Sequence, residues 1–316
     1  MAFRFLAVVV FAFLSSMALA QNYPNKPIRI HTASAGGGND LISRIIAAGI
    51  QGSIGQPVVV ENKGAGFIMA EAFAKLPADG YTLMLQSSGV WLAPFLTDNV
   101  RYDPVRDLAS VTIADKSPSV IVVHPSLPVN SLKELIALAK ARPGTLNWSS
   151  GNNGSTGHLA GELFKVMTGA NIVRIPYKSG GQETADLVSG VVQMAFNPAG
   201  SVMTQVKAGK LRALAVANSK PSTLTPGVPT TAEAGLSGYE MEVTHAVFAP
   251  AGTPAAIINL VNQEMVRFLR LPDTREKLLV QGVEPVGSTP EEMSVFIKGD
   301  MARLGKLIKD LGIRAD

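Results

Sequence analysis

Ser34-Ala35-Gly36-Gly37-Gly38-Asn39-Asp40 is the stretch that decides how this chain is read. It follows a short extended run, Pro27-Ile28-Arg29-Ile30, and opens an apolar-periodic segment, Leu41-Ile42-Ser43-Arg44-Ile45-Ile46-Ala47-Ala48. The pattern predicts a strand, a tight turn and a helix. Three glycines let the backbone approach a ligand closely, because no Cβ intervenes. The first amides of the helix have no partners within it and point out of its N-terminus. Such a turn suits an anion such as a carboxylate. The same residues also make an ordinary helix entry, with Asp40 as a cap or first-turn carboxylate.

Short apolar runs alternate with helical patterns along most of the chain. Pro57–Glu61, Tyr81–Leu85, Val120–Val123, Leu146–Ser149, Ile172–Ile175, Val192–Phe196 and Ala213–Val216 read as strands. Helices are predicted up to Leu76, over Ser131–Ala141 with Pro143-Gly144 as the stop, and over Ser155–Met167 with Gly169 closing it. From Pro254 onward the pattern is mainly helical, with a break near Gly282–Pro290. Alternating strands and helices imply parallel sheets with covered faces. Ligands in open α/β sheets sit at the carboxyl ends of strands. A second polar, glycine-rich turn, Ser149-Ser150-Gly151-Asn152-Asn153-Gly154-Ser155-Thr156-Gly157-His158, falls at such an end. Two α/β domains are therefore expected, each offering one turn to a shared cleft. Gln86-Ser87-Ser88-Gly89 and Asn62-Lys63-Gly64-Ala65-Gly66 are further strand-end candidates.

Composition narrows the function. The first 20 residues have the form of a secretory leader: Arg4, an apolar core from Phe5 to Leu14, and Ala18-Leu19-Ala20 before the expected new terminus at Gln21. The apolar stretch is short for a membrane span. The chain has no cysteine, which removes disulfides and a lipid-modified N-terminal cysteine, so a freely diffusing periplasmic protein is expected. The net charge of +4 comes from scattered lysines and arginines, with no basic tract for nucleic acid or a membrane surface. Aromatic residues are only 6%, which argues against a stacking platform for bases or sugars. The length favours two domains.

Catalytic constellations are missing from the sequence. No G-x-S-x-G elbow, H-E-x-x-H pair or P-loop is present. His31, His124, His158 and His245 show no metal-ligand spacing. Gly64-Ala65-Gly66 gives the first two glycines of a dinucleotide fingerprint, but Met69 occupies the third position, so no cofactor is expected. Ser155 and His158, three apart at a helix start, read as a cap and a surface imidazole rather than a catalytic pair. Asp40 and Glu183 could meet across a cleft.

Several segments together resemble one family, the periplasmic solute receptors of tripartite tricarboxylate transporters, or Bug family. They are Ala35–Asp40, Val60-Glu61-Asn62-Lys63-Gly64-Ala65-Gly66, Pro77-Ala78-Asp79-Gly80-Tyr81-Thr82-Leu83, Gly154–Leu159, Pro176-Tyr177-Lys178 and Ala249-Pro250-Ala251-Gly252-Thr253-Pro254. The resemblance implies a type II periplasmic binding protein, with two α/β lobes joined by crossover strands. Lobe one would comprise residues 21–121 and 247–316, and lobe two residues 122–246, with crossings near Val122 and Ala246. It implies a non-enzymatic receptor that closes on a small carboxylate and serves a membrane permease. A sensory co-receptor reporting to a sensor kinase, and an enzyme on an α/β scaffold, are the rival readings. A monomer is expected. The candidate ligand-binding residues are Ser34, Ala35, Gly36, Gly37, Asp40, Ser87, Ser88, Ser149, Gly151, Ser155, Thr156, Tyr177 and Asn197. Asp40 would hold the turn's amides and orient a bridging water, since like charges keep it from a carboxylate directly; with an amino acid or amide it could instead accept from the ligand's nitrogen. The sequence departs from the family pattern at Ala33 and Ser34, which stand for Phe and Pro, at Ser179 for Gly, and at Gln193 for Asp. A family Trp ahead of Ala249-Pro250 is absent, with His245 nearby.

Overall fold

The computed structural model describes residues 23–33, 35–64, 66–151, 154–218, 220–310 and 312–314. The leader, Ser34, Asn152 and Asn153 lie outside them. In chain order the elements begin with β1 (Ile28–Thr32), α1 (Gly38–Ile54), β2 (Val58–Asn62), α2 (Phe67–Phe73), β3 (Thr82–Gln86), α3 (Gly89–Leu96) and β4 (Leu108–Val123). Next come α4 (Leu132–Ala141), β5 (Asn147–Ser150), α5 (Thr156–Thr168), β6 (Val173–Pro176), α6 (Gly180–Ser189), β7 (Met194–Pro198), α7 (Ala199–Lys207) and β8 (Arg212–Val216). The chain returns through β9 (Glu242–Pro250) and finishes with α8 (Ala255–Leu269), α9 (Pro272–Val280), β10 (Glu284–Pro285) and α10 (Pro290–Asp310).

Local chemistry sets several boundaries. Ser131 caps α4 by accepting from the Glu134 amide, while Glu134 accepts from the amide of Asn130, one residue before the cap. Ser155 caps α5 through the His158 amide, and Gly169 ends that helix in the left-handed conformation at φ 68°.

Strands run in the order β2-β1-β3-β9-β4-β7-β5-β6, with β8 and β10 also paired to β4. The pairs β1–β2, β1–β3, β5–β6 and β5–β7 are parallel, as alternation predicts. The two long strands differ. β9 lies antiparallel to β3 and β4, and β4 lies antiparallel to β7 and β8. Purely parallel sheets are therefore the wrong expectation: strands that cross between lobes enter each sheet from the opposite end. β4 pairs with β9 from Leu108 to Pro118, then with β7 from Ser119 to Val123. The Ser119 amide donates to Met241 O and the Met241 amide to Ala217 O, so the second crossing sits beside the first.

Ile42, Ile46, Ile50 and Ile54 form the buried stripe of α1 and pack on Ile28, Ile30, Leu83, Leu85 and Val247. Each such side chain, when fully buried, stabilises by about 1.5–3 kcal/mol. A larger cluster runs through both lobes, from Phe73, Trp91 and Leu304 by way of Ile121 and Val123 to Trp148, Phe164 and Phe196. The indole of Trp91 donates to Asp300 Oδ2 at 2.8 Å, which ties α3 to α10. Among the described residues no helix is long and apolar enough to cross a membrane, and no cluster of His, Asp or Glu could hold a metal ion.

Candidate functional site

The lobe-one turn lies between β1 and α1. Ala35, Gly36 and Gly37 are exposed, and Gly37 is the extended N-cap of α1, with no side chain capping it. Gly36 has φ 81°, a conformation that favours glycine. Asp40 is buried behind the turn. Its Oδ2 accepts from the Gly36 amide at 3.0 Å and from Arg44 Nε at 3.1 Å. Its Oδ1 accepts from Asn62 Nδ2 at 2.8 Å. Asn62 also donates to Ala33 O at 2.6 Å, so one amide braces the strand end and the carboxylate together. Arg44 first, then the Gly36 and Asn62 bonds, hold the Asp40 pKa down at about 2. Asp40 is thus an ionised brace for the turn. The first intrahelical bond runs from the Leu41 amide to Gly37 O. The preceding helix amides precede that ladder and face outward.

The lobe-two turn lies between β5 and α5 and has the same design with different chemistry. The Gly154 amide donates to His158 Nδ1 at 3.0 Å, four residues on. His158 is buried, not the surface imidazole its spacing suggested. Burial, with Arg174 adding to it, pushes its pKa down to about 4, so the ring is neutral and Nδ1 is free to accept. Arg174 donates to Ser150 Oγ at 2.7 Å and to Gly151 O at 2.8 Å, fixing the strand end from below. In each lobe a side chain four residues past a left-handed glycine accepts that glycine's amide.

The two turns meet. Ser88 is the N-cap residue of α3, and its Oγ lies 3.4 Å from Thr156 Oγ1 at the start of α5. A Cβ on Gly89 would sit 3.7 Å from Gly154 O. Ser87 accepts from the Val90 amide through its carbonyl, in the same turn. Gln86, at the end of β3, accepts from Asn39 Nδ2 at 2.9 Å and so links the α1 entry to the β3 turn.

The other candidates fall into a second group inside lobe two. Ser149 is fully buried and its Oγ donates to Glu183 Oε1 at 3.1 Å. Asn197, on β7, is a second hydrogen-bond partner of Glu183. Burial raises the Glu183 pKa, and these two bonds partly offset the rise. Glu183 is held by Ser149 and Asn197, whereas Asp40 is held by Gly36, Arg44 and Asn62. Tyr177 donates its hydroxyl to Asp186 Oδ2 at 2.8 Å; burial, then that bond, pushes its pKa to about 12. Ser155 faces its own helix amide, and Gly151 bonds through its carbonyl. Sequence reasoning did not find the bracing role of His158 or the Arg44 contact; the i,i+4 spacing of Asp40 and Arg44 was the available signal.

Fold and site together define a two-lobed α/β solute receptor with paired helix-entry turns facing one cleft. The chain belongs to the tripartite tricarboxylate transporter family receptors, whose model matches residues 42–313. This is a family of solute-binding receptors, not enzymes. The chain is 38% identical to protein BugT of Bordetella pertussis over 98% of each chain. R. palustris Rpa4515, solved with adipate, superposes with a TM-score of 0.86 at 35% identity, covering 92% of this chain and 99% of that one. The periplasmic binding protein BugD superposes with a TM-score of 0.84 at 28% identity, covering 92% and 99%.

Proposed function

We propose that this receptor captures a small carboxylate between its lobes and hands it to the membrane subunits of a tripartite-type transporter. The observation that carries the reading is the pair of braced turns. Gly36 is held by Asp40 and Gly154 by His158, and the lobes bring Ser88 and Thr156 within 3.4 Å. Each brace removes one amide from solvent competition and leaves the following helix amides aimed at the cleft, where an anion is favoured. The adipate bound by a 35%-identical relative supports the same ligand class. The site comprises the Ala35–Gly37 turn braced by Asp40, the Ser87-Ser88 turn, and Gly151, Ser155 and Thr156. Ser149, Tyr177 and Asn197 form the supporting layer of lobe two. Lobe closure bends the chain at Pro118–Ser119 and Met241–Glu242 and is the signal the membrane partner reads. The leader directs a monomer to the periplasm, where it diffuses without a lipid anchor.

A melting screen of the mature protein, unfolded and refolded to strip bound ligand, tests this against mono-, di- and tricarboxylates and amino acids. Ligand at about 100 times Kd adds roughly 2.7 kcal/mol to stability. A rise of several degrees with one acid class is expected, and no rise across the acids defeats the reading.

A further inference from the structure

The crossover strands hold a polar pair that the braced turns do not use. His245 on β9 stands opposite Asp115 on β4, at the register shift between Ile113 and Asp115. His245 Nδ1 lies 2.8 Å from Asp115 Oδ1. A carboxylate only accepts, so Nδ1 carries the proton in this bond. Asp115 is fully buried and the imidazole is 5% exposed.

The other ring nitrogen is the informative one. Nε2 has no hydrogen-bond partner among the described residues. It abuts the first turn of α1: a Cβ built on Gly38 would lie 3.3 Å from it. A side chain more than nine-tenths buried therefore points an unpartnered nitrogen into the N-terminus of a 17-residue helix. Neighbouring β9 residue Ala246 is in register with Gln86, so His245 also sits beside the Gln86–Ser88 turn. Asp115 Oδ2 is buried without a hydrogen-bond partner among the described residues. A buried carboxylate left with an unsatisfied oxygen calls for a positive neighbour. Lys116 is engaged by Glu242 at 2.5 Å, which leaves the imidazole as the group in contact. With Nδ1–H given to Asp115, only a ring protonated on both nitrogens would carry an Nε2–H toward the first turn of α1.

We propose that His245 is a ligand-binding residue that donates Nε2–H to a carboxylate oxygen held at the α1 amides, with Asp115 as the residue that positions the ring. The inference rests on the carboxylate reading above and sharpens its ligand class. A donor from the strand side and amides from the helix side accept an oxygen anion and reject an ammonium group at the same place. Asp40 is already engaged: Oδ2 takes Gly36 N and Arg44 Nε, and Oδ1 takes Asn62 Nδ2 and Arg44 Nη2, which leaves no acceptor site for that ammonium. The ligand is thus an organic acid with no cationic group next to the gripped carboxylate.

Calorimetric titration of the refolded mature protein with adipate, malate, glutamate and alanine tests it. Wild type binding none of the four, nor any acid of the melting screen, overturns the carboxylate reading, and this inference with it. Wild type binding alanine or glutamate more tightly than both simple acids overturns the ligand class alone. For a bound acid, His245→Phe should weaken affinity about 10- to 100-fold, the range for a charge-assisted hydrogen bond. Because that variant strands Asp115, the double variant Asp115→Leu/His245→Phe, which removes both polar partners, is titrated beside it. Either variant, folded by circular dichroism and binding within about threefold of wild type, overturns the role of His245. Nitrogen spectra of the His245 ring separate binding from support. Saturating acid should move the Nε2 resonance, and this movement should shrink in Asp115→Asn. An Nε2 resonance unmoved by saturating acid overturns the donation, and an undiminished movement in Asp115→Asn overturns the positioning role of Asp115.

Discussion

Asp40→Ala is the perturbation whose size follows most directly from the geometry. It removes both carboxylate oxygens and leaves the Gly36 amide and the Asn62 amide without their acceptor. The third partner, Arg44, has a side chain 55% exposed and returns to water at little cost. Hydrogen bonds to a charged acceptor contribute about 1.5–3 kcal/mol each, and the two share one acceptor group, so a loss of about 3 kcal/mol is expected. At roughly 2 °C per kcal/mol for a chain of this size, the melting temperature should fall by about 6 °C. The turn also loses its fixed shape, and affinity for the bound acid should fall by more than about tenfold. Asp40→Asn keeps one acceptor oxygen and should show about half the loss of stability. The assays are a melting curve and a calorimetric titration on the same preparation. An alanine variant that melts within about 1 °C of wild type and binds within about threefold would refute the bracing argument.

The remaining predictions concern other parts of the same machinery. His158 has a lowered pKa of about 4 in the fold, so the unfolded chain takes up the proton first. Stability from this ring is full above about pH 6.5 and is lost as pH falls toward 4, by about 2 kcal/mol once solvent screening is allowed for. His158→Gln should flatten the acid limb of the melting profile in that window, and an unchanged slope would sink the idea. In Gly161→Ala, the new Cβ would lie 2.2 Å from the Trp148 ring, which is fully buried. A loss of about 1–3 kcal/mol is expected in denaturant titration, and a variant as stable as wild type contradicts the packing described. In Gly282→Ala, a Cβ would meet Gly200 Cα at 2.1 Å, backbone against backbone. It should lower the melting temperature well beyond Gly209→Ala, which shares a positive φ but meets open space; equal losses would show that the contact is immaterial.

The parts of the fold legible in the sequence were those with a clean local signal. Ile42, Ile46 and Ile50 recur at helical spacing, and Ser131 with Glu134 marks a capped start; both give the elements observed. The crossover strands were harder. The first part of β4 contains Asp115, Lys116, Ser117 and Pro118, a run that reads as a turn. Pro118 is accommodated because it falls where β4 leaves β9, so its missing amide breaks no continuous ladder. Helix α3 was unread because Val90, Trp91, Leu92, Ala93 and Leu96 are all buried, which leaves no polar face to set a period. At the site, the glycine turns were visible as short motifs. The braces were only partly visible: Asp40 stood out as a charge, but His158 becomes buried only when the turn folds back on it. The Asp115–His245 pair joins residues 130 apart and depends on a strand register that no local pattern encodes.

The large apolar cluster, which runs without a break from Trp91 through Ile121 to Trp148, makes the two lobes thermodynamic partners as well as mechanical ones. A lobe that came apart alone would strip the other of part of its own interior. If the lobes open for ligand as proposed, a flexure of a few residues around Ser119 and Met241 would leave this shared interior intact. Heat, by contrast, cannot dissolve the lobes one after the other. The receptor should absorb heat in a single cooperative step, and a ligand held at the cleft should raise the melting of residues far from it as much as of those that touch it.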